Sequence, residues 1–410
     1  MLGNVIVGQS GGPTAVINAS VAGAYVGAKR AGAQKVYGMV HGIQGFLEDK
    51  LLDLDEYLAD EDGIELLKRT PSAFLGSCRY KLPQLKGNEE VYEKIFARMD
   101  QYDISCLFYI GGNDSMDTVK MLSDYAKETG KDKKFIGIPK TIDNDLPVTD
   151  HCPGYGSAAK YIATSLKEII RDNAAYGDYR TAILIVEIMG RHAGWLTAAA
   201  ALAKDETCEG VDAIYLPEME FDIDAFIQKV DDLARKQRSI VIAVSEGIHM
   251  ADGRFVCELS GTGTEKTDVF GHKQLSGCGV YLAGLIQEKL GHKARAVEFS
   301  TLQRSASHIA SLTDIEEAFM AGESAADAAA AGETAMMVTL LREPGVAYKC
   351  STGLHDIHDI ANVERKVPLE WLSEDGCQVS GDYEAYARPL IQGELLPIFE
   401  KGTPKHLIRK

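Results

Sequence analysis

Pro139-Lys140-Thr141-Ile142-Asp143-Asn144-Asp145 follows directly on the apolar run Phe135–Ile138. A short apolar run closed by Pro and polar residues reads as a buried strand with a functional turn at its end. Asp143 and Asp145 stand two residues apart. In an extended segment such residues face the same way, so both carboxylates are expected to meet one ligand. Lys140 adds a cation beside them. Phosphoryl transfer to an alcohol needs a carboxylate to take the hydroxyl proton and cations to hold the phosphates, and this segment offers both. A solvated turn is the plainer alternative.

The same arrangement recurs on both sides. Upstream, Cys106–Ile110 is followed by Gly111-Gly112-Asn113-Asp114-Ser115, and Val5–Val7 by Gly8-Gln9-Ser10-Gly11-Gly12-Pro13-Thr14. Downstream, Ala182–Ile188 leads into Met189-Gly190-Arg191-His192-Ala193-Gly194-Trp195, and Ile240–Val244 into Ser245-Glu246-Gly247. Arg295, Thr301 and Arg304 surround Ala296–Phe299. Val36–Val40, Ala213–Leu216 and Met336–Leu341 are further β-branched or apolar runs. Strands alternating with helical patterns indicate parallel sheets with crossover helices. Runs without period-2 alternation are expected where both faces are covered. The expected fold is therefore α/β, with two mostly parallel sheets flanked by helices, and two lobes with a cleft between them. Glycines between a strand and a helix let backbone N–H groups close on an anion. The first loop matches neither GxGxxG nor GxxxxGK[ST], and alone it reads equally well as a tight turn. An Arg at a strand end suits bidentate phosphate capture.

The 410 residues are too many for one core. The chain is 45% hydrophobic and 25% charged, in the range of soluble α/β proteins and outside that of disordered ones. Its net charge of −17 argues against nucleic-acid binding through a general basic field. The eight cysteines include no CxxC pair, so they are expected to be reduced and mostly structural, with no zinc site. The reading contains no signal peptide and no membrane span, and places the protein in the cytoplasm. Glu316–Thr334 is Ala-rich and reads as a packing helix interrupted at Gly322 and Gly332. Residues after about 345 read as an extension that wraps the core.

Taken together, the six polar segments resemble the phosphofructokinase family from about residue 4 to residue 310. PKTIDND followed by MGR is the most specific part. The resemblance implies a two-lobed phosphofructokinase fold: residues 1–145 bind the phosphoryl donor, 146–310 bind fructose 6-phosphate, and 311–410 supply returning helices and the C-terminal extension. It makes Asp143 the base that takes the 1-hydroxyl proton, with Lys140 and Asp114 as further catalytic groups. Thr141 contacts the transferred phosphoryl group and Asp145 lies near the sugar. Met189, Gly190, Arg191 and Glu246 form the sugar-binding set. Arg295 and Arg304 clamp the 6-phosphate, Arg295 being lent by a neighbouring subunit of a homodimer or homotetramer. Gly11, Gly12, Arg79, Asn113 and Ser115 meet the donor. The implied cofactor is Mg²⁺.

Two positions separate donors within the family. ATP-using members resemble GGDGS and PGTIDND; here Asp114 and Lys140 stand at the two glycines. Pyrophosphate-using members carry Asp and Lys there. A carboxylate fills the space for the α-phosphate of ATP and repels it, and the ammonium neutralises the pyrophosphate in the shortened site. The expected reaction is reversible phosphoryl transfer from pyrophosphate to the 1-hydroxyl of fructose 6-phosphate, a glycolytic step. The alternatives are an ATP-dependent 6-phosphofructokinase and a non-catalytic regulatory subunit. A Rossmann oxidoreductase lacks its glycine fingerprint here.

The chain departs from the family pattern at four places. Asn113 occupies the position of the Mg²⁺ ligand, leaving Asp114 as the carboxylate that can replace it. Thr301 stands where the family has a phosphate-contacting His. Arg180 lies two residues further upstream of MGR than the corresponding Arg of the ATP enzymes. Ala22 and Val26 stand where allosteric members carry effector-binding arginines, which implies no regulation by nucleotides.

Overall fold

The computed structural model describes residues 2–176, 180–260, 275–345, 347–360 and 363–409. Phe399–Glu400 and Thr403–Pro404 pair as a small antiparallel ribbon of their own. In the two larger sheets all nine apolar runs form strands, and two further strands join them. In chain order they are β1 (Asn4–Gln9), β2 (Val36–Met39), β3 (Leu51–Asp53), β4 (Ile104–Gly111), β5 (Lys134–Pro139), β6 (Ala182–Ile188), β7 (Ala213–Tyr215), β8 (Ser239–Ser245), β9 (Ala294–Glu298), β10 (Met336–Arg342) and β11 (Cys350–Asp356). The larger sheet has the order β11-β10-β5-β4-β1-β2-β3, and the smaller β7-β8-β6-β9. All pairings inside the smaller sheet are parallel. The larger one is parallel from β10 to β2 and ends in an antiparallel strand at each edge.

The chain divides into two compact units. One comprises Met1–Ser157, Arg304–Glu364 and Gln392–Lys410, and the other Ala158–Gln303 and Arg365–Ile391. The larger sheet belongs to the first unit and the smaller to the second.

Successive residues of β1 explain why its sequence shows no alternation. Val5 and Val7 face a core shared with Ile17, Val21 and Ala325, whereas Ile6 faces Phe96, Leu107 and Phe135 on the other side. Both faces are dry, so both want apolar side chains. In the smaller sheet β9 breaks this expectation. Among the described residues it pairs only with β6, and Arg295, Val297 and Glu298 on it are exposed.

Two strands of the larger sheet were not legible in the sequence. β3 is three residues long, and β11 reads Cys-Ser-Thr-Gly-Leu-His-Asp, without an apolar run. Each is an edge strand held by its partner's backbone rather than by two buried faces, so hydrophobicity does not mark it. β11 also means that residues after 345 extend the larger sheet, not merely wrap it.

The helix expected to break at Gly322 runs unbroken from Leu312 to Ala331 and stops at Gly332, whose φ is +102°. Gly322 instead marks a close crossing. A Cβ on it would lie 2.2 Å from the Ser20 carbonyl oxygen of helix Ile17–Arg30, and one on Gly23 of that helix 1.9 Å from the Phe319 carbonyl oxygen. The two backbones touch through paired glycines.

All eight cysteines are free, and seven of them are buried. Among the described residues no helix is long and apolar enough to cross a membrane.

Candidate active site

The registers of the larger sheet bring three turns to one edge. Gln9 lies opposite Ile110, and Gly111 opposite Pro139. The segments after β1, β4 and β5 therefore leave the sheet side by side, at the carboxyl edge where parallel sheets place ligands.

In the first turn, Gly11 has φ +75° and donates its N–H to the Cys78 carbonyl at 3.2 Å. That bond sets the turn beside Gly76–Arg79, with Arg79 exposed. Two cations approach the glycines. A Cβ on Gly11 would lie 3.2 Å from Lys140 Nζ, and one on Gly12 3.2 Å from Arg304 Nη1. Lys140 Nζ also donates to the Gly12 carbonyl at 2.9 Å. The Thr14 hydroxyl then accepts from Val16 and Ile17 N–H at the start of helix Ile17–Arg30.

In the second turn, Asn113, Asp114 and Ser115 are the first residues of helix Asn113–Thr129. The N–H groups of Asn113 and Asp114 are among those that a helix leaves without internal partners, which favours an anion there, whereas Ser115 N–H donates to the Gly112 carbonyl at 2.9 Å. Ser115 Oγ is buried and donates to Ser10 Oγ at 2.9 Å, tying the second turn to the first. Asn113 Oδ1 is buried without a hydrogen-bond partner. The partnerless Asn113 carbonyl oxygen and, one residue on, the Asp114 carboxylate are hard oxygen donors, of the kind Mg²⁺ takes together with phosphate oxygens.

The third turn is not extended. Asn144 has φ +55°, and its side chain accepts the Cys152 N–H at 2.9 Å. Thr141 N–H donates to the Pro153 carbonyl, and Thr141 Oγ1 accepts from Asp143 N–H at 3.1 Å. A left-handed residue between Asp143 and Asp145 thus brings the two carboxylates together, correcting the expectation that strand geometry does so. Asp145 Oδ1 is buried without a partner.

Burial and the neighbouring Asp145 push the Asp143 carboxyl up to about 7, against the opposing pull of Lys140 and Arg304. Asp145 is raised too, by burial first. Lys140 is brought down to about 8 by burial, in spite of the two carboxylates. The Lys140 cation by itself favours the ionised form of Asp143. Desolvation outweighs it, because Lys140 is itself buried and shares its charge with Asp145.

The second unit carries the remaining segments. Ile188 lies opposite Ser245, so the turns after β6 and β8 leave together. Glu246 Oε1 accepts the Gly190 N–H at 3.3 Å, and Ser245 Oγ donates to the Gly190 carbonyl. A Cβ on Gly247 would lie 2.0 Å from the Arg191 carbonyl oxygen. Met189, Gly190, Arg191 and Glu246 are thereby gathered into one interlocked corner. Arg295 lies exposed on β9, and Thr301 follows it exposed. Arg304 belongs to the first unit, beside Gly12, although sequence reading grouped it with Arg295.

Three acidic residues escaped the sequence reading. Asp314 accepts the N–H groups of Gly154 and Ser157, both at 2.8 Å, and so holds the segment that Thr141 bonds to. Glu218 accepts from Gly194 and Val367 N–H and fixes the far end of the Met189–Trp195 turn. Glu364 acts on Asp143 and Asp145 through its negative charge. Asp314 and Glu364 lie at the end of no apolar run and carry no local signal, whereas Glu218 stands two residues after Ala213–Leu216, where a polar group at a strand end was legible.

A family model for phosphofructokinase matches residues 4–328. The chain is 42% identical over 408 residues to the pyrophosphate–fructose 6-phosphate 1-phosphotransferase of Methylococcus capsulatus, covering 98% of this chain and 95% of that protein. It is also 42% identical over 409 residues to the protein of the same name from Xanthomonas campestris, covering 100% and 96%. The crystal structure of pyrophosphate-dependent phosphofructokinase from Nitrosospira multiformis is similar at a TM-score of 0.88 and 36% identity, over 98% of this chain and 95% of that one.

Proposed function

This chain belongs to the phosphofructokinase family, and on that premise we propose that it transfers a phosphoryl group from pyrophosphate to the 1-hydroxyl of fructose 6-phosphate, giving fructose 1,6-bisphosphate and phosphate. The observation that carries the choice of donor is Lys140. Its ammonium sits on the Gly12 carbonyl and beside Gly11, in the phosphate turn itself. A cation there is matched to a short, highly charged donor. With Asp114 at the neighbouring helix start, it opposes the longer triphosphate.

In this reading Gly11, Gly12, Arg79, Asn113 and Ser115 line the donor side, and Lys140 supplies the positive charge there. Thr141 meets the transferred phosphoryl group. Asp143 takes the proton of the 1-hydroxyl as the new P–O bond forms. A carboxylate brought up to about 7 is a stronger base than an ordinary one and is still substantially ionised at neutral pH. Asp145 lies near the sugar, and its partnerless buried oxygen is suited to a substrate hydroxyl. Met189, Gly190, Arg191 and Glu246 hold the sugar, and Arg295 and Arg304 the 6-phosphate. Asp114 and Asn113 would hold Mg²⁺, which when bound neutralises the pyrophosphate charge and orients it. One phosphoanhydride is exchanged for one phosphate ester, so the reaction runs both ways. Free buried thiols suit a cytoplasmic enzyme. Ala22 is buried and Val26 packs on the same core, which supports an enzyme without nucleotide regulation at that helix.

The test is an assay with pyrophosphate and ATP side by side. The expected kcat/KM with pyrophosphate is at least about tenfold the higher, roughly 1.4 kcal/mol of transition-state binding. Equal or better use of ATP refutes the donor assignment.

A further inference from the structure

We propose that Gln9 and Asn18 are positioning residues for the phosphoryl donor, holding the turn Gly76-Ser77-Cys78-Arg79 against the glycines of the first turn. The inference deepens the reading of that turn as a pyrophosphate contact and rests on it. Residues 70–88 form neither helix nor strand. Yet Phe74 and Leu75 are buried, and a buried backbone N–H must find a partner. Here the partners are two side-chain amides, both fully buried. Phe74 N–H donates to Asn18 Oδ1 at 2.8 Å, and Leu75 N–H to Gln9 Oε1 at 2.9 Å. Asn18 Nδ2 donates to the Thr70 carbonyl at 2.8 Å. Gln9 Nε2 donates to Asn18 Oδ1 at 2.9 Å and to the Ile17 carbonyl at 3.3 Å, which joins the two amides.

Reversing either amide would set N–H groups against N–H groups, so these bonds fix both orientations. Gln9 ends β1, with Ser10-Gly11-Gly12 directly after it, and Asn18 is the second residue of helix Ile17–Arg30. The pair therefore ties an irregular segment to the strand end and helix start that frame the first turn. Just beyond that segment, Ser77 Oγ donates to the Gly11 carbonyl, and Gly11 N–H donates to the Cys78 carbonyl. Those two bonds set Arg79 beside the first turn, and they form only while Phe74 and Leu75 are in place. The buried amides thus do for this segment what ladder bonds do for a strand. Buried and bonded inside the protein, both side chains act on the donor through the turn and not by touching it.

Steady-state kinetics of the full chain with Gln9→Met and Asn18→Ala test this. Met keeps the length and bulk of Gln and removes its hydrogen bonds. The expected result for each is a KM for pyrophosphate raised about 5- to 20-fold, with the KM for fructose 6-phosphate within about twofold. A role in stability alone would lower the unfolding midpoint without separating the two KM values. Adding Arg79→Met to Gln9→Met should cost less than the product of the two single effects, because both act through one turn. An unchanged KM for pyrophosphate, an equal rise in both KM values, or fully multiplicative effects overturns the proposal. Amide hydrogen exchange of the wild type needs no variant. Phe74 and Leu75 should be protected as strand residues are, and exchange at the rate of an open loop also overturns the proposal. Calorimetric titration with pyrophosphate and no sugar phosphate reads donor binding without turnover. If the wild type binds pyrophosphate without transferring from it, and Gln9→Met weakens that binding by the same factor, the inference stands and the reading of the reaction falls. Turnover with pyrophosphate and unchanged KM values in both variants leaves that reading standing and the inference overturned. A wild type that binds no pyrophosphate overturns both.

Discussion

Asp143 and Lys140 face each other's charge in a space that favours neither ion. Burial moves the carboxyl up to about 7 and the ammonium down to about 8. A base must be ionised to work, so activity should fall as the pH drops through about 7. The donor site needs the ammonium protonated, so activity should also fall as the pH rises through about 8. The expected profile of kcat/KM in the free enzyme is a narrow bell between these limits. A flat profile from pH 6 to 9 would show that neither group titrates in the reaction. Asp143→Asn keeps the shape and removes the basicity. It should lower kcat about 10²- to 10⁴-fold, change the KM for fructose 6-phosphate much less, and abolish the acid limb. If instead kcat stays near normal and only affinity is lost, Asp143 binds substrate and Asp145 becomes the candidate base.

At the level of elements, the site depends on where helices begin and how closely they cross. Helix Asn113–Thr129 starts at the donor turn, so its free N–H groups and its first polar side chains share one place. Helices Ile17–Arg30 and Leu312–Ala331 meet through Gly23 and Gly322 with no room for a Cβ. Gly23→Ala gains a little helix propensity, about 1 kcal/mol at most. It also places a methyl on the Phe319 carbonyl, which forces the backbones apart and costs typically 1–3 kcal/mol or more. The clash should win. A lower midpoint in thermal or urea unfolding is expected, and an unchanged or higher one would mean the crossing relaxes freely. Since Thr14, just before one helix, and Asp314, in the first turn of the other, both serve the site, the same change should lower activity.

At the level of the whole molecule, Arg295 was assigned to a phosphate bound by a neighbouring copy. That assignment makes the active enzyme an oligomer. Light scattering at assay concentration should give the mass of two or four chains, and activity should fall on dilution toward single chains. A fully active monomer would return Arg295 to its own subunit's site or remove it from the reaction.

The sequence by itself determined the nine apolar strands and the polar turns that follow them, because a strand buried on both faces, as all but β9 are for most of their length, must be apolar and a parallel sheet must place its ligands at one edge. It also determined the choice between donors, since Asp114 and Lys140 are substitutions in place. The tertiary structure decided the rest. β3 and β11 exist through pairing with a neighbour's backbone, which leaves no hydrophobic trace. Asn144 and not strand geometry brings the two carboxylates together, because its left-handed turn is held by Cys152, eight residues away. Arg304 reaches Gly12 from the far end of the second unit's segment, and Asp314 reaches Gly154, 160 residues away in sequence. The pKa of Asp143 follows from burial, and burial is a property of the packed chain, not of the residues beside it.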